Sequence, residues 1–238
     1  MDAVSITTEN YLKRIYSVAE SSDEHYVGLG ALAEKMGVTP GTITTMMKSL
    51  ERSGLVEYKP RTGVRLTALG ERQALDVLRK HRLIELFLVQ TLGFDWSEVH
   101  EEAEELEHAV SERLLHRIDE ILGHPTVDPH GDPIPNSEGA FHEVDTSPLS
   151  DQRPGSTLEV ARVENTQSRF LDYAKDVGLV PGAELTVLNR RDESDTIQIS
   201  VGSTTATLSL RAAQKIHVKR RQANSSFGPT DPFGPTDP

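Results

Sequence analysis

The 238-residue sequence contains no cysteine, few aromatic residues and no long apolar run. The absence of cysteine excludes disulfides, thiolate metal ligands and cysteine nucleophiles, so any metal must be bound by imidazole, carboxylate, amide or water. No segment approaches the roughly eighteen apolar residues that a membrane helix needs, and the N-terminus lacks the apolar core of a signal peptide. These absences predict a cytoplasmic protein without membrane association.

Acidic residues outnumber basic ones, with 37 Asp and Glu against 25 Lys and Arg, but the excess is unevenly distributed. Residues 1–72 carry nine of each sign, whereas residues 73–123 carry twelve acidic residues and five basic ones. DNA-binding proteins use Lys and Arg to neutralise phosphates, and a segment without net charge can still present one basic face. The acidic middle segment predicts either a solvated surface or a site that collects cations.

The first part of the chain has the pattern of three short helices followed by a hairpin. Apolar residues recur with helical spacing in three segments, which span 6–20, 29–36 and 39–53. Thr39 and Pro40 are typical of the start of the third helix, and Gly54 of its end. Two short segments, 55–58 and 64–66, are separated by a turn and predict β-strands. This order predicts a winged helix-turn-helix over residues 1–72.

In a helix-turn-helix, the second helix lies in the major groove and its N-terminal residues contact base edges. Small hydroxyl side chains and glycine permit a close approach to bases, and these residues are Thr39, Gly41, Thr42 and Thr45. The further residues that we predict to lie against DNA, mostly as phosphate contacts, are Thr7, Lys48, Arg52, Lys59, Arg61 and Arg65. The alternative is a three-helix module that binds protein rather than DNA.

The rest of the chain predicts a helical domain and a small β domain, so the fold class is mainly α with some β. Three further helices are predicted at 68–91, 95–110 and 111–122, within a helical domain over residues 73–140. Residues 141–156 read as a linker rich in Pro, Gly, Asp and Ser. Alternating segments predict an SH3-like, FeoA-like β-barrel over residues 157–220. The repeated FGPTDP predicts a disordered tail at residues 221–238.

Histidines and glutamates of the acidic segment have the spacing of metal ligands. On a helix, His100, Glu104, Glu107 and His108 fall within an arc of roughly 100°. On the preceding helix, His81 and Glu85 are four residues apart, a spacing that lets two side chains chelate one ion. No lysine is expected on the shared face to neutralise these side chains. Nitrogen and oxygen ligands suit Mn²⁺ or Fe²⁺, although Zn²⁺, Co²⁺ and Ni²⁺ bind such sites at least as tightly.

Longer stretches of the sequence resemble the diphtheria toxin repressor and manganese transport regulator family. They are TTENYLKRIY at 7–16, VTPGTITTMMKSLERSGLV at 38–56, RKHRLIE at 79–85, VHEEAEELEH at 99–108 and HPTVDPHGDPIP at 124–135. The resemblance runs from end to end. It implies a winged helix, a metal-binding domain that forms a homodimer, and a C-terminal SH3-like domain, in agreement with the order of elements predicted above.

The resemblance also implies which residues bind metal. Glu104, Glu107 and His108 would form a regulatory site, which Asn10 of the first helix joins. Asn10 departs from the family, in which methionine or aspartate stands at this position, and an amide oxygen is a weaker ligand than a carboxylate. In iron-sensing relatives the position of Glu104 is a cysteine, whereas in manganese sensors it is a carboxylate. The resemblance therefore favours Mn²⁺ here.

A second metal site is implied by the same resemblance. It would contain His81, Glu85 and His100, and in some members of the family it also receives ligands from the SH3-like domain. Glu164 and Gln167 stand at the corresponding positions of this sequence.

The sequence thus predicts a non-enzymatic, metal-dependent repressor that binds a palindromic double-stranded DNA operator as a homodimer. Mn²⁺ is the expected co-repressor, with Fe²⁺ as the alternative, and genes for metal uptake are the expected targets by resemblance. Two other functions remain open. One is a winged-helix regulator that responds to a small organic ligand, and the other is a metal-dependent hydrolase, since His and Glu clusters also activate water.

Overall fold

A computed structural model describes residues 5–20, 25–142, 144–164 and 168–220. The tail that the sequence predicts to be disordered, 221–238, lies outside the described residues. The chain forms two compact units, Met1–Val144 with Val163–Ala174, and Asp145–Arg162 with Lys175–Pro238.

The first unit begins with a winged helix-turn-helix, as predicted. Its elements are α1 (Ile6–Glu20), α2 (Leu29–Met36), α3 (Pro40–Arg52), β1 (Val56–Lys59) and β2 (Gly63–Leu66). The strands pair antiparallel, with Val56 opposite Leu66, and Val27 forms an isolated bridge to Val64. Apolar side chains from all of these elements meet in one buried core, which includes Leu12, Ile15, Leu32, Ile43, Met47 and Val64.

The long helix α4 (Ala68–Leu92) leads from the winged helix into the helical domain. Thr67 caps its first turn by accepting a hydrogen bond from the Gly70 amide at 3.1 Å. The helix starts directly against the hairpin, because a Cβ atom at Gly70 would lie 2.0 Å from the Leu55 carbonyl oxygen. Only glycine permits this contact. Residues of α4 therefore contribute to the winged-helix core at Ala74 and to the helical-domain core at Leu83.

Two shorter helices, α5 (Val99–Leu106) and α6 (Glu112–Ile121), pack against α4. The prediction of one helix from 95 to 110 was wrong at both ends. Asp95 accepts hydrogen bonds from the amide and hydroxyl of Ser97, which makes a turn before the helix begins. A side chain that bonds its own local backbone competes with helix formation in this way.

The segment after α6 lacks regular structure but is held firmly against α4. Arg79 donates to the Pro135 carbonyl and forms an ion pair with Asp119, both at 2.9 Å. Arg82 donates to the Pro133 carbonyl. These two arginines fix the backbone of residues 124–136 beside the helical domain. None of the helices in the described ranges has the length and apolar character needed to cross a bilayer.

The second unit carries a six-stranded sheet with the strand order β3-β8-β4-β5-β6-β7. The strands are β3 (Ser147–Pro148), β4 (Thr157–Val163), β5 (Glu184–Arg191), β6 (Thr196–Val201), β7 (Thr204–Ser209) and β8 (Ile216–Arg220). The remaining α-helices of the described residues are α7 (Ser168–Val177) and α8 (Leu210–Gln214).

Three of these elements were not predicted, namely β3, α8 and β8. Each is short, and β3 lies within the segment 141–156 that the sequence predicts to be a linker. The same segment contains a 3₁₀ helix with the fully buried Leu149. Two residues cannot display an alternating pattern, so pairing with β8 alone makes β3 a strand.

Candidate metal centre and DNA-binding surface

All ten residues predicted to contact DNA are solvent-exposed in the winged helix. Thr39 also caps α3, since its hydroxyl oxygen accepts a hydrogen bond from the Thr42 amide at 3.2 Å. On the hairpin, Lys59 and Arg65 lie over the Tyr26 ring, at 4.7 Å and 5.2 Å from its centroid. Cation–π contacts of this kind hold basic side chains in place on a surface. The exposed face therefore combines small α3 side chains with an ordered basic hairpin.

Among the described residues, three groups of imidazole and carboxylate side chains bring possible ligand atoms within 4.8 Å of one another. They are His81 with Glu85 and His100, His81 with Glu104 and Glu107, and Glu85 with Asp128 and His130. All three lie in the first unit. The donors are nitrogen and carboxylate oxygen only, which fits a divalent cation of the first transition row.

The first group joins α4 to α5. His81 Nε2 lies 2.9 Å from Glu85 Oε1, and His100 Nδ1 lies 3.1 Å from the same oxygen. The two imidazole nitrogens, His81 Nε2 and His100 Nδ1, are 3.0 Å apart. His81 and Glu85 are buried, whereas the side chain of His100 is 47% exposed and closes the group towards solvent. These are the residues that the resemblance assigns to a second metal site.

The second group centres on Glu107, which immediately follows the last residue of α5 and is buried. Its Oε2 lies 2.6 Å from His81 Nδ1, so His81 belongs to both groups. The ammonium of Lys13 donates to Glu104 Oε1 at 2.8 Å and to the two Glu107 oxygens at 2.6 Å and 2.8 Å. The sequence argument that no lysine neutralises these carboxylates was wrong, because Lys13 reaches them from α1.

His108 also connects α5 to the first helix. Its Nε2 lies 2.8 Å from Asn10 Oδ1 and 3.3 Å from Glu107 Oε1, and its Nδ1 lies 2.6 Å from Glu9 Oε2. The structure thus brings Asn10 to the regulatory residues. The sequence analysis missed Glu9. Its position next to Asn10 on the same helix could have indicated it as a further ligand. Glu9 supplies a carboxylate beside the position where relatives carry methionine or aspartate.

The third group was also missed. His130 is fully buried, stacks on Trp96, and has its Nε2 2.8 Å from the Trp96 carbonyl oxygen. Its Nδ1 has no hydrogen-bond partner among the described residues and lies 4.0 Å from Glu85 Oε2 and 3.9 Å from Asp128 Oδ1. A buried polar atom without a partner is costly. The sequence signal was the alternation of Asp128, His130 and Asp132 in a segment to which we assigned no metal ligand.

Of the two SH3-domain ligands implied by the resemblance, only Glu164 lies among the described residues. Glu164 is half-buried and belongs to none of the three groups found among the described residues. Gln167 lies outside the described residues.

Burial and neighbouring charges shift several pKa values in this centre. Burial disfavours the charged form of His81, but Glu85 and the hydrogen bond to Glu107 outweigh it and raise the pKa of His81 to about 9. Burial opposes ionisation of Glu104 as well, yet Lys13 holds its pKa below the usual value. Burial, together with the nearby Asp132 and Glu85 carboxylates, raises the pKa of Asp128 well above its usual value.

A winged helix whose first helix contacts a buried imidazole and carboxylate centre defines a class of protein, the metal-responsive DNA-binding regulators. Protein-family models match this chain in three consecutive parts. These are the N-terminal DNA-binding domain of iron-dependent repressors at residues 4–64, their metal-binding and dimerisation domain at 67–136, and the FeoA domain at 147–220.

Individual proteins show the same similarity over most of the chain. The iron-dependent repressor IdeR of Mycobacterium tuberculosis is 32% identical over 233 residues, which cover 92% of this chain and 100% of that protein. The diphtheria toxin repressor of Corynebacterium diphtheriae is 35% identical, over 77% of this chain and 85% of that one. A solved manganese-dependent transcriptional repressor in complex with manganese is 40% identical, with a TM-score of 0.81, and covers 90% of this chain and 100% of that chain.

The chain belongs to the diphtheria toxin repressor and manganese transport regulator family of metal-dependent, DNA-binding repressors. The predicted fold class is confirmed, and so is a metal-dependent repressor that dimerises. The related proteins named above are repressors and not enzymes, so the hydrolase alternative is set aside. Relatives that depend on iron and on manganese are both present, so family membership leaves the metal open.

Proposed function

We propose that the chain is a manganese-responsive repressor whose regulatory site contains Glu104, Glu107 and His108 from the α5 region with Glu9 and Asn10 from α1. The observation that carries this proposal is the approach of α1 ligand atoms to His108, at 2.6 Å and 2.8 Å. Every ligand in the set is oxygen or imidazole nitrogen, and a ligand set rich in carboxylate oxygen is one that Mn²⁺ accepts.

Ligands from two domains give a physical route from the metal to DNA. Glu9 and Asn10 belong to the winged helix, whereas Glu107 and His108 belong to the helical domain. Side chains that bind one cation together hold α1 in a defined position relative to α5. A cation supplies the positive charge that keeps these groups together. If this position suits DNA binding, metal and DNA each increase the affinity for the other by the same factor.

His81, Glu85 and His100 are proposed as a second cation site beside the first. The His81 ring lies against Glu107 of the regulatory site with Nδ1 and against Glu85 of the second site with Nε2, so it links the two sites. This arrangement supports energetic coupling between the sites, because the orientation and protonation of one ring affect both.

The proposed partner is a palindromic operator, bound by a two-fold symmetric dimer in the cytoplasm. A symmetric dimer presents two copies of α3, and half-sites one helical turn apart place their centres about 34 Å from each other. Leu106, Leu114 and Ile121 are large apolar residues exposed on the helical domain, which supports burial of this surface between subunits. Genes for metal uptake are the proposed targets.

Calorimetric titration of the metal-free protein with Mn²⁺ tests this function. We expect micromolar binding at both sites in the wild type, loss of the regulatory site alone in Glu107→Ala/His108→Ala, and retention of both sites in Glu101→Ala/Glu105→Ala, which removes two exposed carboxylates of the same helix. Binding to an operator fragment should follow the same order when Mn²⁺ is added. Equal binding by all three proteins would contradict the site, and stimulation by Fe²⁺ alone under anaerobic conditions would contradict the proposed metal.

A further inference from the structure

We infer that Lys13 is a built-in competitor of the metal, an ammonium group that neutralises Glu104 and Glu107 in the metal-free repressor and must leave them when a cation binds. The inference rests on the metal-sensing role proposed above and adds a regulatory residue to that site. Lys13 lies in the middle of α1.

The contacts of Lys13 are those of a bound cation. Its Nζ is within 2.8 Å of three carboxylate oxygens, one from Glu104 and two from Glu107. Lys13 is only 8% exposed, although it is a long charged residue on a surface helix. A buried ammonium is stable only when it is paired and hydrogen-bonded. The two glutamates therefore hold Lys13 in place, and Lys13 in turn holds them together.

The same oxygens cannot serve Lys13 and a metal at once. Divalent cations bind carboxylate oxygens at about 2.0–2.6 Å. A cation at that distance from the Glu104 and Glu107 oxygens would enter the space that the Lys13 ammonium occupies, and the two positive charges would repel each other. Lys13 must therefore release at least part of these contacts before both carboxylates can face a metal.

The position of Lys13 on α1 connects this exchange to the DNA-binding domain. Glu9 and Asn10 lie four and three residues before Lys13, so all three share one face of the helix. One face of α1 thus offers the helical domain either a cation, from Lys13, or ligands for a cation, from Glu9 and Asn10. Release of Lys13 removes the contacts that position α1 in the metal-free protein. Lys13 thereby raises the concentration of metal needed to switch the repressor.

The test compares Lys13→Met with Lys80→Met in the full chain, with Mn²⁺ alone as the ligand. Methionine keeps the apolar stem of lysine without its charge. Lys80 is the matched control, because it adjoins His81 in sequence but its ammonium pairs with Glu112 at 2.6 Å. We expect Lys13→Met to bind Mn²⁺ at least tenfold more tightly than the wild type by calorimetry, and Lys80→Met to change affinity less than threefold.

Thermal unfolding distinguishes a competitor from a residue that supports the site in both states. Lys13→Met should lower the Tm of the metal-free protein, because two carboxylates lose their counter-ion, and should leave the Tm of the Mn²⁺-saturated protein unchanged. Unaltered or weaker Mn²⁺ binding, or an equal loss of Tm with and without metal, would overturn the inference. A wild type that binds no Mn²⁺ would reject the proposed function as well.

A second variant covers the case in which Lys13→Met does not fold. Lys13→Arg retains the positive charge and can donate to a carboxylate with two parallel N–H groups, which makes a stronger pair. We expect this variant to fold with a Tm near that of the wild type and to bind Mn²⁺ several-fold more weakly. Tighter Mn²⁺ binding in Lys13→Arg would contradict the competition.

Discussion

Two carboxylate clusters of the helical domain differ in how their buried negative charge is neutralised. At Glu104 and Glu107, negative charge is neutralised by the ammonium of Lys13. Around Glu85 and Asp128 the one permanent cation in the ion pairs of the described residues is Arg82, whose Nε lies 3.9 Å from Asp128 Oδ2, and the pKa values of His81 and Asp128 are both raised. We therefore expect a metal entering the first cluster to displace an ammonium group, and a metal entering the second to displace protons.

The largest expected effect tests the first half of this comparison. Glu107→Gln removes the charge that pairs with Lys13 and His81 but preserves the shape of the side chain. We expect the metal-free protein to lose about 3 kcal/mol of unfolding free energy, the range for breaking one partner of a buried ion pair. Urea unfolding followed by circular dichroism measures this loss. A change below about 1 kcal/mol would show that the ion pair contributes little.

Proton release at the second cluster is the next largest effect. With a pKa of about 9, His81 is protonated at pH 7, and its Nε2 must lose the proton to bind a cation. We therefore expect Mn²⁺ affinity at His81, Glu85 and His100 to rise with pH up to about 9, by about tenfold per pH unit. Calorimetry at pH 7 in buffers of different ionisation enthalpy should detect close to one proton released per ion.

The same linkage affects the metal-free fold. Because the pKa of His81 is raised above the usual value of 6.5, its stabilising contribution is complete below about pH 6.5 and is lost as the pH rises through about 9. The variant His81→Gln should lack both the proton release and this loss of stability. Proton release that persists in His81→Gln would assign the proton to another group.

The smallest expected effect concerns Asp128. Burial and neighbouring carboxylates raise its pKa in the folded protein. At a pH above the usual pKa of aspartate, this group therefore ionises more readily in the unfolded chain, which favours unfolding. Its Oδ1 accepts hydrogen bonds from the His130 and Asp132 amides, which an asparagine oxygen can also accept. Asp128→Asn should therefore keep or slightly increase stability at pH 7, with the difference vanishing near pH 4. A loss comparable to that of Glu107→Gln would remove the contrast between the clusters.

Local sequence patterns predicted the long elements well. The winged helix, α4 and the strands β4 to β7 follow from apolar spacing, the Thr39 and Thr67 caps and the turns at glycine. Short elements such as β3 and α8 escaped prediction, because they are stabilised by pairing and packing with residues distant in sequence. The end of α5 was misplaced for a related reason. The prediction placed Glu107 and His108 on a regular helix, but the observed helix ends at Leu106.

The sequence by itself determined the ligand chemistry of this repressor: no sulfur ligand, an acidic middle segment, and histidine and glutamate at helical spacing on two successive helices. Only the tertiary structure decided how these side chains are divided and neutralised. It brought Lys13 and Glu9 to α5 over more than 90 residues of chain and placed His130 beside Glu85. The reason is physical, because helical periodicity describes one face of one helix, whereas the charge balance of a buried site depends on every element packed against it.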